Sequence, residues 1–452
     1  MEQQNRGASA LVLGGSIGGL LAARVLADHY ERVTLIERDM FPPLGEHRKG
    51  VPQGRHTHGL LVSGARVLER WFPGLREELI KGGAVAGDVA AEARWFIEGA
   101  CLTRFKSGLE HLLMTRPFLE GRLRRRVLKL PNIAARQGLR VAGLTVSSDG
   151  RRVTGVKTGA EEIAADVVID ATGRGSRSPE WLAALGYPKP EEERVEMALA
   201  YTTRFFRRRR EHVEGDSAVL IPPTPGGKRG GVMLAQEADR WTVTLIEHFG
   251  QAPPQELDAF IEYSRTIPAP YIYQVVKDAE PTSEPESMHF PASIRRRYEK
   301  VDRFPEAYLV FGDAIASFNP IYGQGMSVAA LESEELAAVL QQGSGELLGP
   351  RFFRRAAKIV DIPWAISVGN DLRMLETIGP RNIGVNFINW YMSKLHKTAH
   401  ADPIAALAFF RVGNLLAPPP SVLHPNVAWR VLIGGYRSRT TQDTKIPNFT
   451  RP

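Results

Sequence analysis

Residues 11–23 read LVLGGSIGGLLAA, a short apolar run followed by a glycine-rich turn and the start of a helical pattern. Gly14 and Gly19 occupy the first and third glycine positions of a G-x-G-x-x-G pattern, and Ser16 stands at the second. In this pattern the first glycine permits a tight turn, the second lets the backbone approach a pyrophosphate, and the third allows close packing of helix on strand. We therefore expect a dinucleotide site whose contacts come from Gly14, Gly15, Ser16, Ile17 and Gly19.

The segments on either side of this turn support the same prediction. Residues 9–13 and 32–36 read as apolar strands, and residues 18–28 carry helical spacing between them. The helix offers unpaired N–H groups and the positive end of its dipole to phosphates. Glu37 stands at the end of the second strand, where it can accept hydrogen bonds from ribose hydroxyls, and we expect Arg38 beside it to contribute. A purely structural turn is the alternative.

A second motif occupies residues 308–333, YLVFGDAIASFNPIYGQGMSVAALES. A buried strand ends at Gly312-Asp313, and a loop with Pro320, Gly323 and Gly325 leads into a helix that begins near Met326. Such a loop can direct backbone N–H groups and a helix N-terminus at an electron-rich ring edge. A capping aspartate followed by a glycine turn is the alternative.

Together, the two motifs resemble the FAD-dependent monooxygenases of the para-hydroxybenzoate hydroxylase type (class A), over residues 8 to about 340. The resemblance implies FAD as cofactor, with Gly312 and Asp313 near its ribose and pyrophosphate. It also implies that the loop from Pro320 to Met326 lies along the pyrimidine edge of the flavin.

Residues 37–61, ERDMFPPLGEHRKGVPQGRHTHGLL, are similar to the epoxidases that act on polyene precursors of polyether antibiotics. That similarity implies that Arg48 or Lys49 lies close to the flavin or its phosphates. Arg116 stands where relatives place an arginine that contacts FAD. For His56 and His58 the alternative is hydrogen bonding within the loop.

Residues 166–178, DVVIDATGRGSRS, depart from the family pattern. Many relatives carry Asp-Gly after this strand, whereas this chain has Thr172-Gly173. The missing carboxylate leaves the reductant and the reaction subtype open, because Ala-Thr-Gly also resembles the polyether epoxidases and the geranylgeranyl reductases. Thr172 and Gly173 as plain turn residues are the alternative.

By the same resemblance, NADPH or NADH reduces the flavin, O2 adds at its C4a atom, and the hydroperoxide transfers oxygen to an apolar polyene, polyketide or aromatic substrate. The patterns name no catalytic side chain, and without an identified base for a phenol they slightly favour an alkene. We expect an apolar pocket, with candidates Trp95, Phe96, Tyr201, Phe205, Met233 and Phe318. The alternatives are a prenyl-chain reductase of the geranylgeranyl reductase type and a binding protein with the FAD fold but no catalysis.

The predicted fold is α/β: a Rossmann-type FAD-binding domain, an inserted antiparallel β-sheet substrate domain and a C-terminal helical region. Alternating strands between about 174 and 288, including 201–206, 231–236 and 241–247, favour the inserted sheet. After 352 we predict helices that end in a Pro-rich tail from Ala417. The predicted ranges are 1–88, 109–180 and 291–345 for the FAD domain, 89–108 and 181–290 for the substrate domain, and 346–452 for the helical region and tail.

Composition excludes several other classes. Cys101 is the only cysteine among 452 residues, so neither an intramolecular disulfide nor a Cys-based zinc site is expected, and no other metal-ligand cluster stands out. The formal net charge is +8, but the arginine runs at 207–210 and 295–297 are short and lack an RNA-binding pattern. We expect a cytoplasmic protein with no metal, no nucleic-acid partner and no membrane span. O2 and a small apolar substrate are its expected partners, and the oligomeric state stays open.

Overall fold

The computed structural model describes residues 7–343, 347–381 and 383–437. Short apolar runs form strands and longer segments of helical spacing form helices, as the two periodicities dictate. In the described residues the strands are β1 (Gly7–Leu13), β2 (Tyr30–Glu37), β3 (Val85–Asp88), β4 (Ala93–Ile97), β5 (Ala100–Cys101), β6 (Glu110–Leu113), β7 (Ile133–Gln137), β8 (Val141–Val146), β9 (Val153–Thr158), β10 (Glu162–Ala164), β11 (Val167–Asp170), β12 (Glu192–Arg207), β13 (Ala218–Ile221), β14 (Arg229–Gln236), β15 (Arg240–His248), β16 (Glu286–Arg296), β17 (Tyr308–Val310) and β18 (Ala316–Ser317).

The helices belong to three groups: those against the first sheet, a pair against the second sheet, and a C-terminal layer. In chain order they are α1 (Ile17–Ala27), α2 (Val62–Trp71), α3 (Leu75–Lys81), α4 (Arg116–Val127), α5 (Ser178–Ala184), α6 (Leu257–Arg265), α7 (Tyr271–Val276), α8 (Gly325–Gln341), α9 (Leu348–Asp371), α10 (Ile383–Ala399), α11 (Pro403–Gly413) and α12 (Pro425–Arg437).

A five-stranded parallel sheet, in the order β17-β11-β1-β2-β7, forms the first layer. Its central strands are apolar and nearly continuous in burial. α1 packs on β1 and β2, α8 packs on α1, and the three-stranded antiparallel sheet β10-β9-β8 contacts β11. The carboxyl ends of parallel strands share one edge, so the turns after β1, β2, β11 and β17 lie together. This edge therefore brings Gly14, Arg38, Thr172 and Gly312 to one side of the molecule.

An eight-stranded, mostly antiparallel sheet forms the second layer, in the order β18-β16-β12-β15-β14-β13-β4-β5. Side chains alternate between its faces. On one face Phe206, Trp241 and Leu245 are fully buried with Phe260 of α6 and Ile272 of α7. The opposite face is free to border a cavity.

The C-terminal layer has a core of its own, in which Tyr391 and Leu395 of α10, Phe410 of α11 and Val431 of α12 are buried. The prediction of a Pro-rich tail from Ala417 was wrong for residues 425–437, which form α12. Pro425 is the first residue of that helix, a position where the missing N–H and fixed φ of proline do not interrupt the hydrogen bonds.

The predicted fold class is confirmed: a parallel Rossmann-like sheet, an antiparallel sheet and C-terminal helices. The strand, helix and strand around residues 11–23 are β1, α1 and β2. β8 and β9 form an antiparallel hairpin between α4 and β11.

Candidate active site

A cavity of about 760 Å³ lies between the carboxyl edge of the parallel sheet, the open face of the antiparallel sheet and the C-terminal helices. Its volume falls in the range of small-molecule and cofactor sites. Most of the sequence-predicted cofactor residues border it, namely Gly14, Ser16, Ile17, Glu37, Arg38, Arg48, Arg116, Gly312, Asp313, Pro320, Gly323, Gly325 and Met326. Two distant motifs thus meet at one cavity.

The glycine loop has no room for side chains at two of its positions. Gly14 adopts a φ of +97°, and a Cβ there would lie 2.6 Å from the carbonyl oxygen of Ala171. A Cβ on Gly19 would lie 1.7 Å from the carbonyl oxygen of Gly14. Gly19 therefore fixes how closely α1 packs on β1, as the motif predicts, and does not border the cavity itself.

The N-terminus of α1 opens into the cavity. Ser16 is the N-cap residue, but its side chain accepts no capping hydrogen bond from the helix. Ser16, Ile17 and Gly18 all border the cavity. The first-turn N–H groups and the positive dipole end are thus available to an anion.

The Ser16 hydroxyl instead joins a buried charged cluster. It accepts hydrogen bonds from Nη2 of Arg48 and Nη2 of Arg116, each at 3.1 Å, and donates to Oε2 of Glu120 at 3.0 Å. Arg48 also pairs with Glu37 and, at 3.2 Å, with Glu120. Serine in place of the second glycine therefore places two guanidinium groups beside the helix N-terminus.

Glu37 lies at the end of β2 and is buried. Its Oε2 accepts from the backbone N–H of Gly15 at 2.7 Å, and its Oε1 accepts from the N–H of Asp39 at 3.0 Å. Gly15 makes this contact behind the cavity surface and does not border the cavity. These bonds fix the carboxylate at the cavity edge, where the motif places it.

Beneath the second motif lies an unusual pair of carboxyl groups. Gly312 turns with a φ of +66° and its N–H donates to Oε2 of Glu332 at 2.7 Å. Burial raises the pKa of Glu332 to about 8. The charge of Asp313 also raises this pKa, whereas the hydrogen bond from the Gly312 N–H lowers it. Burial also raises the pKa of Asp313, against the opposing charges of Arg116 and Arg174.

The loop between Pro320 and Met326 is held from two sides. Gly323 is left-handed, with a φ of +64°, and a Cβ there would lie 3.3 Å from the Cα of Gly59. A Cβ on Gly325 would lie 3.3 Å from Oδ1 of Asp313. No side chain caps the N-terminus of α8, which begins at Gly325, so a second helix start faces the cavity.

Asp371, at the end of α9, is a cavity residue that sequence reasoning missed. Its Oδ1 accepts from Nδ2 of Asn319 and from the hydroxyl of Tyr322, each at 2.8 Å. Its buried Oδ2 has no partner in the described part of the chain. Burial raises the pKa of Asp371 to about 7. No local pattern marks this residue, because its burial depends on packing against the distant 320–326 loop.

Buried histidines also border the cavity. Nδ1 of His56 lies 2.9 Å from the hydroxyl of Thr203 on β12, and Nδ1 of His58 lies 2.9 Å from the carbonyl oxygen of His56. Burial lowers the pKa of His56 to about 4 and that of His58 to about 3. Both imidazoles are therefore neutral near pH 7. His58 makes a hydrogen bond within the loop, the alternative given above, whereas His56 bonds to a strand of the antiparallel sheet.

The predicted apolar wall is correct in part. Trp95, Tyr201 and Phe318 border the cavity. Phe96 and Met233 do not border it. Successive side chains on a strand point to opposite faces, and both residues are adjacent in sequence to a cavity residue, so they point to the face covered by α6 and α7. Phe205 shares the face of Tyr201 but lies farther along β12, where Arg240 packs over its ring. The wall instead includes Leu220, Val232, Leu234, Ile246 and Phe290.

Lys49 is the remaining expected cofactor residue that the structure does not bring to the cavity. Its side chain is exposed, whereas the adjacent Arg48 is buried and borders the cavity. Thr172 and Gly173, the departure from the family pattern, border the cavity as well. Of the two basic residues that the resemblance offered, the structure favours Arg48.

Among residues 7–343, 347–381 and 383–437, no group of three or more His, Cys, Asp or Glu side chains could hold a metal ion. In the same part of the chain, no helix has both the length and the apolar character needed to cross a bilayer.

Comparison with solved structures identifies the class of fold. A flavoprotein/dehydrogenase from Cytophaga hutchinsonii superposes with a TM-score of 0.66 at 16% identity, covering 96% of this chain and 100% of that one. PqsL from Pseudomonas aeruginosa, described as a probable FAD-dependent monooxygenase, gives a TM-score of 0.60 at 18% identity, covering 81% and 97%. At these identities the likeness shows the fold, which is that of FAD-dependent monooxygenases and related flavoproteins.

A sequence relative places the chain more narrowly. It is 34% identical over 429 residues to Protein Rv3254 of Mycobacterium tuberculosis (strain ATCC 25618 / H37Rv), which covers 90% of this chain and 89% of that protein. The chain belongs to the same family as Protein Rv3254. No protein-family model matches it.

Proposed function

We propose that this chain is an FAD-dependent monooxygenase that uses NADPH or NADH and O2 to epoxidise or hydroxylate an apolar small molecule. The observation that carries the proposal is a single cavity that joins the glycine loop and the 320–326 loop to the open face of the antiparallel sheet. The domain ranges expected from the sequence are part of the same proposal.

The residues present fit FAD. Gly14 and Gly19 leave no space for a side chain, so backbone alone forms the turn, and the uncapped starts of α1 and α8 both face the cavity. Such helix starts suit a pyrophosphate at one end and an electron-rich ring edge at the other. FAD, when bound and reduced, supplies the oxygen-activating chemistry that no side chain here provides.

Specific side chains would hold the cofactor. Arg48 and Arg116, which both donate to the Ser16 hydroxyl, would bind the phosphates, because planar guanidinium groups bind phosphate oxygens well. Glu37 would accept hydrogen bonds from ribose hydroxyls, and Asp313 would contact the ribose and pyrophosphate region. Within the described residues no hydrogen-bond partner of the Asp313 carboxylate is seen, so it is available to a ligand.

The substrate side of the cavity is largely apolar. Val232, Leu234 and Ile246 form a continuous patch on the open sheet face, with Tyr201 and Phe290 beside it. Such a wall keeps water away from a reactive oxygen donor while it binds apolar substrate. PqsL has been solved in complex with the small molecule 2-aminobenzoylacetate, and a small-molecule substrate is part of the present proposal.

Asp371 supplies the acid or base that the sequence did not reveal. A carboxyl group with a pKa of about 7 exchanges protons near neutral pH, and its free Oδ2 can take a proton from a substrate hydroxyl. Hydroxylation of a phenol gains from such a group, whereas epoxidation of an isolated alkene does not need it. Both reactions therefore stay within the proposal.

The test begins with the visible spectrum of the purified protein. We expect a yellow protein with bound FAD, or one that becomes yellow with added FAD. The Asp313→Ala variant should bind FAD at least tenfold more weakly, because it loses the carboxylate that we propose accepts hydrogen bonds from the FAD ribose. Asp302→Ala is the matched control, since Asp302 is exposed and remote from the cavity lining.

The second stage follows NADPH and NADH oxidation with a panel of polyenes and phenols under ¹⁸O2. Incorporation of one labelled oxygen atom into a product supports the monooxygenase. Turnover that continues without O2 would instead indicate a prenyl-chain reductase. A colourless protein that refuses FAD would overturn the proposal in favour of a binding protein.

A further inference from the structure

His396, on the inner face of α10, is a buried imidazole, and neither of its ring nitrogens has a hydrogen-bond partner among the residues that the structure describes. Its side chain is 4% exposed and borders the cavity from the C-terminal layer. Its ring packs edge-to-face on Phe409 of α11, with centroids 4.9 Å apart. Folding thus removes two polar atoms from water without replacing their hydrogen bonds, which destabilises the protein unless a ligand compensates.

The side chains around His396 form an aromatic wall. Trp95 lies 5.4 Å from Phe410 and 6.3 Å from Phe409 between ring centroids, and all three border the same cavity. Nε1 of Trp95 already donates to the carbonyl oxygen of Val89 at 2.9 Å. Of these four rings, therefore, only His396 has hydrogen-bonding capacity to offer an occupant of the cavity.

The charge state of the imidazole limits which chemical groups His396 can bind. Burial lowers the pKa of His396 to about 3, and the charges of Arg373 and His400 lower it as well. Arg373 is itself paired with Glu98, and both of these side chains are largely buried. A neutral imidazole beside a compensated ion pair offers one donor and one acceptor and attracts no net charge.

We propose that His396, with Trp95, Phe409 and Phe410, forms a distal subsite that binds an uncharged hydroxyl or carbonyl group on a flat, apolar substrate. The aromatic rings would contact the substrate body and His396 its polar group. The inference rests on the proposed function only in taking the occupant of the cavity to be the substrate. It names the substrate class as an oxygenated aromatic or polyene compound, as opposed to a pure hydrocarbon.

A pair of probes that differ by one hydroxyl group tests the subsite. 2-Naphthol and naphthalene have nearly the same shape, so equilibrium dialysis against the protein, with and without FAD, measures what the hydroxyl contributes. We expect the wild-type protein to bind 2-naphthol about tenfold more tightly than naphthalene, the effect of one buried hydrogen bond. His396→Leu should remove this preference and leave naphthalene binding within about twofold.

Two further variants test whether the preference for 2-naphthol over naphthalene comes from His396. His396→Gln, which keeps a donor and an acceptor, should retain part of it. Asp371→Asn should leave it intact, because Asp371 borders the cavity beside the 320–326 loop. Equal affinities of the two probes for the wild-type protein, or a preference that survives His396→Leu and disappears in Asp371→Asn, would overturn the inference.

Thermal unfolding separates ligand binding from a structural role. Leucine in place of an unpartnered buried imidazole should leave Tm unchanged or raise it. A lower Tm in His396→Leu together with unchanged probe selectivity would show a purely structural histidine. The dialysis needs no turnover, so a protein that binds the probes as expected but lacks FAD or oxygenation would refute the proposed function and leave the subsite standing.

Discussion

Ser16 and Glu332 show how single side chains shape the two cofactor motifs. Ser16 occupies a glycine position, and its hydroxyl holds Arg48 and Arg116 beside the start of α1. Glu332 lies under the Gly312 turn, where its Oε2 accepts a hydrogen bond from a backbone N–H. Its Oε1 is buried and has no partner within the described ranges. The first arrangement holds two guanidinium groups, paired with Glu37 and Glu120, beside that helix start. The second keeps a carboxyl group protonated inside the protein near pH 7.

Glu332→Gln tests the second arrangement. The pKa of Glu332 is about 8 in the folded chain and ordinarily 4.5. Both states are protonated below pH 4.5, so rising pH removes the proton from the unfolded chain first and lowers wild-type stability until about pH 8. Glutamine cannot ionise and can still accept from Gly312. We expect the variant to unfold like the wild type near pH 4.5 and to be more stable at pH 8, by up to about 4 kcal/mol.

Urea unfolding at several pH values measures this difference. Glu334→Gln is the matched control on the same helix, because Glu334 forms an exposed pair with Arg70 and such pairs contribute little. A stability difference for Glu332→Gln that does not change between pH 5 and 8 would contradict the raised pKa.

At the scale of the element, the packing of α1 on β1 depends on one glycine of an adjacent pair. A Cβ on Gly19 would overlap the carbonyl oxygen of Gly14, whereas a Cβ on Gly18 meets nothing closer than Phe311 at 3.7 Å. Gly19→Ala must therefore shift helix against strand, with a loss of about 2 to 4 kcal/mol in unfolding free energy. Gly18→Ala should be neutral or stabilising by up to about 1 kcal/mol, from helix propensity.

Chemical unfolding of the two variants without cofactor checks the pair. Similar losses in both would show that any side chain, and not the contact with Gly14, disturbs the helix. A neutral Gly19→Ala would contradict the close approach of α1 to β1.

Local sequence patterns predicted secondary structure well where residues close together in the chain determine it. The β1, α1 and β2 unit and the start of α8 at Gly325 follow from apolar spacing and glycine positions. Strand faces were predicted less well: Phe96 and Met233 are as apolar as Trp95 and Val232, and only the burial of one sheet face by α6 and α7 decides which border the cavity. The helix at Pro425–Arg437 was not predicted, because the prolines after Ala417 favoured a tail, whereas Pro425 is a first-turn residue of the helix.

At the scale of the whole molecule, the site is assembled from segments far apart in the chain. The glycine loop, the 48–61 segment and the 320–326 loop carry recognisable motifs, so their meeting at one cavity could be predicted. Asp371 and His396 could not, because they come from α9 and α10, where the sequence shows ordinary amphipathic helices. Their importance lies in burial and in unused hydrogen-bonding atoms, which are properties of packing.

This assembly predicts how FAD should act on the protein. The cavity contacts the parallel sheet, the antiparallel sheet and the C-terminal helices, so bound FAD should stabilise the whole molecule. At a concentration 100 times its Kd, FAD should add about 2.7 kcal/mol to the free energy of unfolding.

In hydrogen exchange, FAD should protect both the 14–19 segment and the 320–326 loop. ADP, which has a pyrophosphate but no flavin, should protect the 14–19 segment alone. If FAD and ADP protect the same segments, the 320–326 loop does not contact the flavin and the placement of the cofactor across both motifs is wrong.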